Sequence, residues 1–478
     1  MSPRLVPHAL VACASESEPA TAAEGGELQQ PPACEQTGAS PFGRGSAALT
    51  VVDRSLIGSP ADYAVDPSLR SREIELQTSQ RARRAAAWAI AARVVAPIEP
   101  ARPFGPNSSR ELRRWQTWHN ADDLTRIFRR LYPELTPDEQ ARRAPFEGGA
   151  IDAAWAWNDG SVAEFEQWTA DRLAAYEGAI DSAEKQAGIG GIYRVSYAPA
   201  ASRHVLDSYG ELLGCRESDE RVEDAPEPDA CDGSPSFQPA CLTGQFSEAS
   251  ALVKATWQRL DAGTPLLGYD TSAPALARRL APDGTFDWGE GDHPAAPSPG
   301  EMFTLELPNG NRFGLTGLHI MTKELEHWVW VTLWWSDRPD EDFGADRPAD
   351  FPAPFEHYKL CSVVAFEEGD TDPSGGADDS SLAGALEVTH GGAGGPTWCS
   401  NPYIERGPGN ASTNCVGCHQ HAGTRLASET ILADPTRFPD FSRPELRESF
   451  PADYVFSVRT GDDLGAMLVE TEQHYAAP

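Results

Sequence analysis

The chain is 478 residues long, the length of about three domains at roughly 150 residues each. It carries 72 acidic and 39 basic residues, a formal net charge of −33. Such a surface repels phosphates, so we expect no nucleic-acid partner. It contains no run of about 18 apolar residues, so the sequence predicts no membrane-spanning helix.

Residues 1–13 have the pattern of a signal segment. A short apolar run follows Arg4 and ends in Leu10–Cys13, the pattern that lipoprotein signal peptidases cleave before a cysteine. Lipid on Cys13 would be the only membrane attachment that we expect. Residues 14–45 hold too few large apolar side chains to offset their ordering entropy, so a disordered tether is predicted there. A chance match within a disordered arm remains the alternative.

Residues 46–190 are predicted to be helical. Apolar side chains recur at helical spacing in three segments, Arg72–Ala96, Arg110–Leu131 and Val162–Gln186. Pro97 supplies a stop after the first segment. The tryptophans of these segments are predicted to be core residues.

Residues 191–365 change to a period of two, which predicts strands. Ala251–Arg259 alternates apolar and polar side chains. Met302–Leu307 and Arg312–Thr322 flank an Asn-Gly turn, a strong hairpin signal, and His327–Trp335 returns as a further strand. We therefore expect a Trp-rich antiparallel sheet, with the acidic insertion Ser336–Glu356 as a surface loop.

Residues 366–478 contain the motif with the clearest chemistry. Asn414–His419 includes C-x-x-C-H, the attachment sequence of a c-type haem. Cys415 and Cys418 are spaced to reach the two vinyl groups of one porphyrin, and His419 would place an imidazole nitrogen under the iron. One covalently attached haem c is therefore the predicted cofactor. The alternatives are a redox-active cysteine pair, or half of a zinc site completed by Cys399 and His421.

The residue at the sixth position of the iron decides between electron transfer and chemistry at an open iron. Met467 is the only methionine after the motif and is our predicted ligand. Other candidates stay open, namely His319, Met321, His390, His421 and His474. His319 and Met321 share a strand face by alternation.

The nine cysteines suggest an oxidising compartment. Cys13 would carry lipid and two more would carry haem. The other six can close three bridges or remain as buried thiols: Cys34, Cys215, Cys231, Cys241, Cys361 and Cys399. A local closure among Cys215, Cys231 and Cys241 is expected. We place the protein in the bacterial cell envelope, because haem attachment to such motifs occurs there.

Three strand sequences and the haem motif resemble a family of exported bacterial cytochrome c-like proteins. The matching segments are Leu252–Trp257, Gly317–Lys323, Trp328–Thr332 and the C-x-x-C-H motif, and the similarity covers roughly residues 190–478. The resemblance implies that Cys415 and Cys418 are the attachment points and His419 the proximal ligand. The chain departs from the family at Leu333–Trp335, where members often have Phe-Glu-His.

The sequence thus predicts an α+β protein with a helical N-terminal part, an antiparallel sheet and a mostly helical, cytochrome c-like C-terminal region. We expect an envelope monohaem cytochrome that transfers one electron, an electron carrier rather than a catalyst. A redox protein, for which a basic surface would suit the acidic chain, is the expected partner. The alternatives are a haem enzyme or gas sensor with an open distal site, and a scaffold lipoprotein.

Overall fold

The fold is taken from a computed structural model. It describes residues 60–98, 112–147, 149–155, 192–214, 242, 244–260, 263, 265–298, 300–306, 312–369, 372–373, 384, 397–405, 411, 413–423, 450, 452–458 and 463–476. In this part of the chain, no helix is both long and apolar enough to cross a bilayer.

The protein mixes helices with an antiparallel sheet, as the α+β prediction requires. The helices are α1 (Ser68–Ser71), α2 (Glu73–Thr78), α3 (Gln80–Val95), α4 (Ala121–Leu131), α5 (Pro137–Ala141), α6 (Ala150–Trp155), α7 (Pro199–Asp207), α8 (Ala273–Arg279), α9 (Cys415–His419) and α10 (Asp463–Ala476). The strands are β1 (Pro97–Ile98), β2 (Leu112–Arg113), β3 (His119–Asn120), β4 (Ile192–Tyr197), β5 (Ala251–Arg259), β6 (Leu266–Gly268), β7 (His293–Ala295), β8 (Thr304–Glu306), β9 (Arg312–Thr322), β10 (Val329–Trp335) and β11 (Tyr358–Val363).

The main sheet has seven strands in the order β11-β10-β9-β5-β4-β3, with β8 paired to the first part of β9. All its pairs are antiparallel. One register row crosses four strands, because His319 is paired with both Lys254 and Thr332, and Thr332 is paired with Cys361. These four residues therefore lie side by side on one face of the sheet.

The predicted strands are confirmed. Ala251–Arg259 is β5, the predicted hairpin is formed by β8 and β9, and β10 lies within the predicted return strand. Every residue of β10 is buried. Continuous burial explains why Trp and Val fill this strand without a polar face.

The helix predictions are confirmed in part. Arg72–Ala96 forms two helices, because the Ser79 side chain accepts a hydrogen bond from the Ala82 amide and starts α3 anew. The Arg110–Leu131 prediction is wrong in its first half, which forms two short strands and a 3₁₀ turn. Asn120 accepts a hydrogen bond from the Asp123 amide at 2.8 Å, which fixes the start of α4. Val162–Gln186 lies outside the described residues.

The insertion between β10 and β11 is a surface loop, as predicted, but a few apolar side chains hold it against the protein. Phe343 and Phe351 are buried, and Trp88 of α3 contacts the Phe351 ring at 4.9 Å. Arg84 of α3 donates to the carbonyls of Phe343 and Leu360, so the insertion, α3 and the edge strand β11 form one unit. The acidic, Pro-rich composition of the insertion gave no indication that Phe343 and Phe351 are buried.

Of the six cysteines that the sequence leaves for disulfide bonds, two lie in the part of the chain that the structure describes, and they are bonded to each other. Cys361 of β11 and Cys399 form a disulfide bond, which joins the sheet to the segment before the C-x-x-C-H motif. Cys34, Cys215, Cys231 and Cys241 lie outside the described residues.

Candidate haem-attachment site

The two motif cysteines lie on a short helix that is fixed at its first residue. The Asn414 side chain accepts a hydrogen bond from the Gly417 amide at 3.0 Å and so caps α9. Its amide group also donates to the carbonyls of Ala365 and Phe366. One side chain thus starts the helix and attaches it to the loop after β11.

Gly417 lets α9 lie directly against that loop. A Cβ atom at this position would lie 2.7 Å from the Phe366 ring and would overlap the Thr413 hydroxyl. Cys418 is buried and Cys415 is half-buried, and both are outside disulfide bonds. The second variable position of the motif is therefore glycine for a packing reason.

The His419 imidazole is held by a backbone carbonyl. Its Nδ1 lies 2.8 Å from the Tyr454 carbonyl oxygen, which fixes Nδ1 as the protonated nitrogen. The ring also packs against Trp330 at 4.5 Å and Phe456 at 4.9 Å between centroids. Burial lowers the pKa of His419 to about 4, so the imidazole is neutral. In the described part of the chain Nε2 has no hydrogen-bond partner, and a neutral Nε2 is the form that binds a metal.

The carbonyl that orients His419 belongs to a strained turn. Asp453 and Tyr454 both have positive φ, at 45° and 69°, which non-glycine residues rarely adopt. Lys323 holds the turn through an ion pair of 2.6 Å with Asp453, and the Phe246 amide donates to the same carboxylate. The end of β9 therefore fixes the position of the Tyr454 carbonyl.

Polar groups of the sheet also lie near His419. Burial lowers the pKa of His319 well below its usual value, and the charge of Lys254, its neighbour on β5, lowers it further. Trp330, which contacts the His419 ring, lies on the same face of β10 as Thr332, the partner of His319. The two histidines therefore lie on the same side of the sheet, although they are 100 positions apart in the sequence. His319 Nε2 is buried and makes no hydrogen bond.

Glu405 is the fourth polar group of this region. Its Oε2 accepts a hydrogen bond from the Asn401 amide at 2.6 Å, and Oε1 lies 3.9 Å from His319 Nε2. Burial raises the pKa of Glu405 to about 7. The Asn401 side chain donates to the Thr332 hydroxyl and the Leu333 carbonyl, which holds this segment over the sheet.

The structure brings together four of the nine residues that the sequence named as attachment points or candidate iron ligands. Cys415, Cys418 and His419 share α9, and His319 lies on the sheet face that also carries Trp330, a contact of the His419 ring. Met467 lies on α10, but its side chain is outside the described residues, as are His390 and the bridge expected near Cys231. The contributions of Tyr454 and Glu405 were missed, because nothing local marks a backbone carbonyl or an isolated acid.

One alternative to haem loses its support. Cys399 is bonded to Cys361 and cannot complete a zinc site with the motif. No cluster of three metal-binding side chains occurs among the described residues, but a covalently attached haem needs only one or two protein ligands.

The chain matches no protein-family model, no curated protein and no solved structure.

The residues present fit a haem. Two thiols one helical turn apart precede an imidazole whose Nε2 has no hydrogen-bond partner among the described residues, and Nε2 of His319 is buried without a hydrogen bond. Neutral imidazole nitrogens of this kind are common protein ligands of a haem iron.

Proposed function

We propose that this chain is a c-type haem protein of the bacterial envelope that transfers one electron. The observation that carries the proposal is the hydrogen bond from His419 Nδ1 to the Tyr454 carbonyl, because it leaves Nε2 as a ligand within the C-x-x-C-H motif. When bound, the haem would supply an iron that gains and loses one electron.

In this proposal Cys415 and Cys418 anchor the ring and His419 is its proximal ligand. Trp330 and Phe456 pack against the His419 ring and keep water from it. The region of residues 366–478 would then be the cytochrome c-like part of the molecule, although only α9 and α10 are described as helices there. The proposal does not depend on the identity of the sixth ligand, for which the sequence predicts Met467 and leaves His319 as an alternative.

A second candidate function rests on the polar groups near His419. Lys254, His319 and Glu405 could bind or protonate a small molecule such as peroxide at an open iron. In that case the protein would be a haem enzyme or gas sensor. Carbon monoxide binding by the reduced wild-type protein distinguishes this candidate from electron transfer.

The attachment is tested by producing the chain with its export signal in cells that mature c-type cytochromes. Intact mass and a pyridine haemochrome spectrum should show one covalent haem per chain. Cys415→Ala and Cys418→Ala should each leave one thioether, and the double variant should lose covalent haem. His474→Ala, which removes an exposed imidazole, is the control and should keep full attachment. Wild-type protein without covalent haem would overturn the proposal.

A further inference from the structure

His319 is one of several residues of the main sheet with a buried polar atom that makes no hydrogen bond. It lies on β9 between Lys254 and Thr332, and the atom is Nε2, the nitrogen that can bind a metal. The Glu405 carboxylate oxygen is 3.9 Å away, beyond the roughly 2.7–3.2 Å of a hydrogen bond. A buried nitrogen without a hydrogen bond is unfavourable, so a ligand that binds Nε2 would stabilise it.

His319 lies on the face of the sheet that meets the motif helix. Trp330, two residues before Thr332 on β10, shares this face with His319 and contacts the His419 ring. The side chains of His319 and Glu405 keep 18% and 15% of their accessible surface. His419 and Cys415 are also only half-buried.

We propose that His319 binds the sixth position of the haem iron through Nε2, on the side opposite His419. The inference rests on the proposed function, since it needs a haem at Cys415 and Cys418. It deepens that function by replacing Met467 with an imidazole as the second axial ligand.

The position of His319 suits an axial ligand. It lies in the middle of β9, which pairs with β5 on one side and β10 on the other, so its backbone is rigid. The proximal His419 is fixed separately by the Tyr454 carbonyl. Because His319 and His419 are held by different parts of the protein, the iron would keep the same two axial ligands in both redox states. Small reorganisation of this kind favours electron transfer over binding of a substrate at the metal.

The experiment compares spectra of the haem-loaded full chain with those of two variants. The wild type should be low-spin in both redox states, without a near-infrared thioether band and without a carbon monoxide shift. His319→Ala should become high-spin and bind carbon monoxide, and added imidazole should restore the low-spin spectrum. Met467→Leu should keep the wild-type spectrum.

Each other outcome overturns the inference. A thioether band that disappears in Met467→Leu would assign the sixth position to methionine. A high-spin wild type that binds carbon monoxide would mean an open iron. Because covalent attachment is measured separately by intact mass, these results leave the haem proposal standing. If His319→Ala fails to fold, His319→Met, which offers a different ligand atom, should show a thioether band that the wild type lacks.

Discussion

At the residue scale, the position of the motif helix α9 depends on a glycine at a close contact, a capping asparagine and a buried carboxylate. Gly417 lets α9 approach Phe366, and Asn414 connects the helix to the same loop. Glu368 then holds that loop, because its buried carboxylate accepts the Val364 amide at 2.7 Å and pairs with Arg83 at 2.9 Å.

Gly417→Ala tests the close approach of α9 to the loop. The added Cβ would overlap Phe366 and Thr413, so α9 must shift. We expect a loss of about 1–3 kcal/mol in the free energy of unfolding, the usual range for overpacking. Less attached haem per chain should accompany it. Gly214→Ala is the matched control, since no atom lies within 4 Å of its Cβ position. Equal stability of the two variants would contradict the packing argument.

Glu368 gives the protein a predictable pH dependence. Burial raises its pKa from 4.5 to about 7, although Arg83 opposes the rise. Between these values the folded state binds more protons than the unfolded state, so stability falls as pH rises from about 4.5 to 7. Glu368→Gln should reduce this fall by up to about 3 kcal/mol. Denaturant unfolding at several pH values measures it, and the exposed Glu341→Gln should behave like the wild type.

At the element scale, the ends of strands position the site. The turn at Asp453 lies against the end of β9 because Lys323 pairs with it, and Trp328 donates from its indole to the Asp453 carbonyl. The polar row across β5, β9 and β10 places His319 between Lys254 and Thr332. Strand register therefore decides which side chains face the C-x-x-C-H helix, since a shift of one residue would turn His319 to the other face.

Lys323→Met tests the contact between β9 and this turn. Both side chains of the Lys323–Asp453 pair are about 4% exposed, so the change leaves a buried carboxylate without its cation. We expect the free energy of unfolding to fall by about 3–5 kcal/mol. The double variant Lys323→Met/Asp453→Asn should recover much of this loss. An additive loss in the double variant would show that the pair is not coupled.

At the scale of the whole molecule, one cluster of buried hydrophobic side chains joins parts of the chain that the sequence assigned to three regions. It includes Trp88 of α3, Trp257 of β5, and Val416 beside the motif cysteines. The Cys361–Cys399 bridge adds a covalent link between the sheet and the segment that carries Glu405. The site is therefore built between regions rather than within one of them.

Removing the bridge should weaken the whole fold. It closes a loop of 38 residues, for which loop entropy predicts about 4 kcal/mol of stabilisation. We expect Cys361→Ala/Cys399→Ala to lose close to that amount in denaturant unfolding. Reductant should lower the free energy of unfolding of the wild type toward that of the variant. A variant as stable as the oxidised wild type would contradict the expectation.

The net charge of −33 suggests that electrostatic attraction would speed association with a basic redox partner. Long-range attraction speeds association with a basic protein and weakens as salt screens it. We expect the rate of electron exchange with a basic redox protein to fall as ionic strength rises. Stopped-flow measurement against an acidic redox protein provides the control, and its rate should rise with salt.

The sequence by itself predicted the chemistry that depends on neighbours along the chain. Cys415, Cys418 and His419 match a haem-attachment motif, which can be recognised from five consecutive residues. The strands β5, β9 and β10 follow from alternation and from the Asn-Gly turn, which are also local signals. The helix predicted from Arg110 was wrong in its first half because side-chain capping by Asn120 and tertiary packing overrode its apolar periodicity.

Only the tertiary structure decided what surrounds the motif. Lys254, His319, Glu405 and Tyr454 are separated by up to 200 positions, and no local pattern predicts that they lie in one region. Register places the first two side by side, a disulfide and Asn401 bring Glu405 over them, and an ion pair presents the Tyr454 carbonyl. These contacts depend on long-range pairing and burial, which local sequence patterns do not encode.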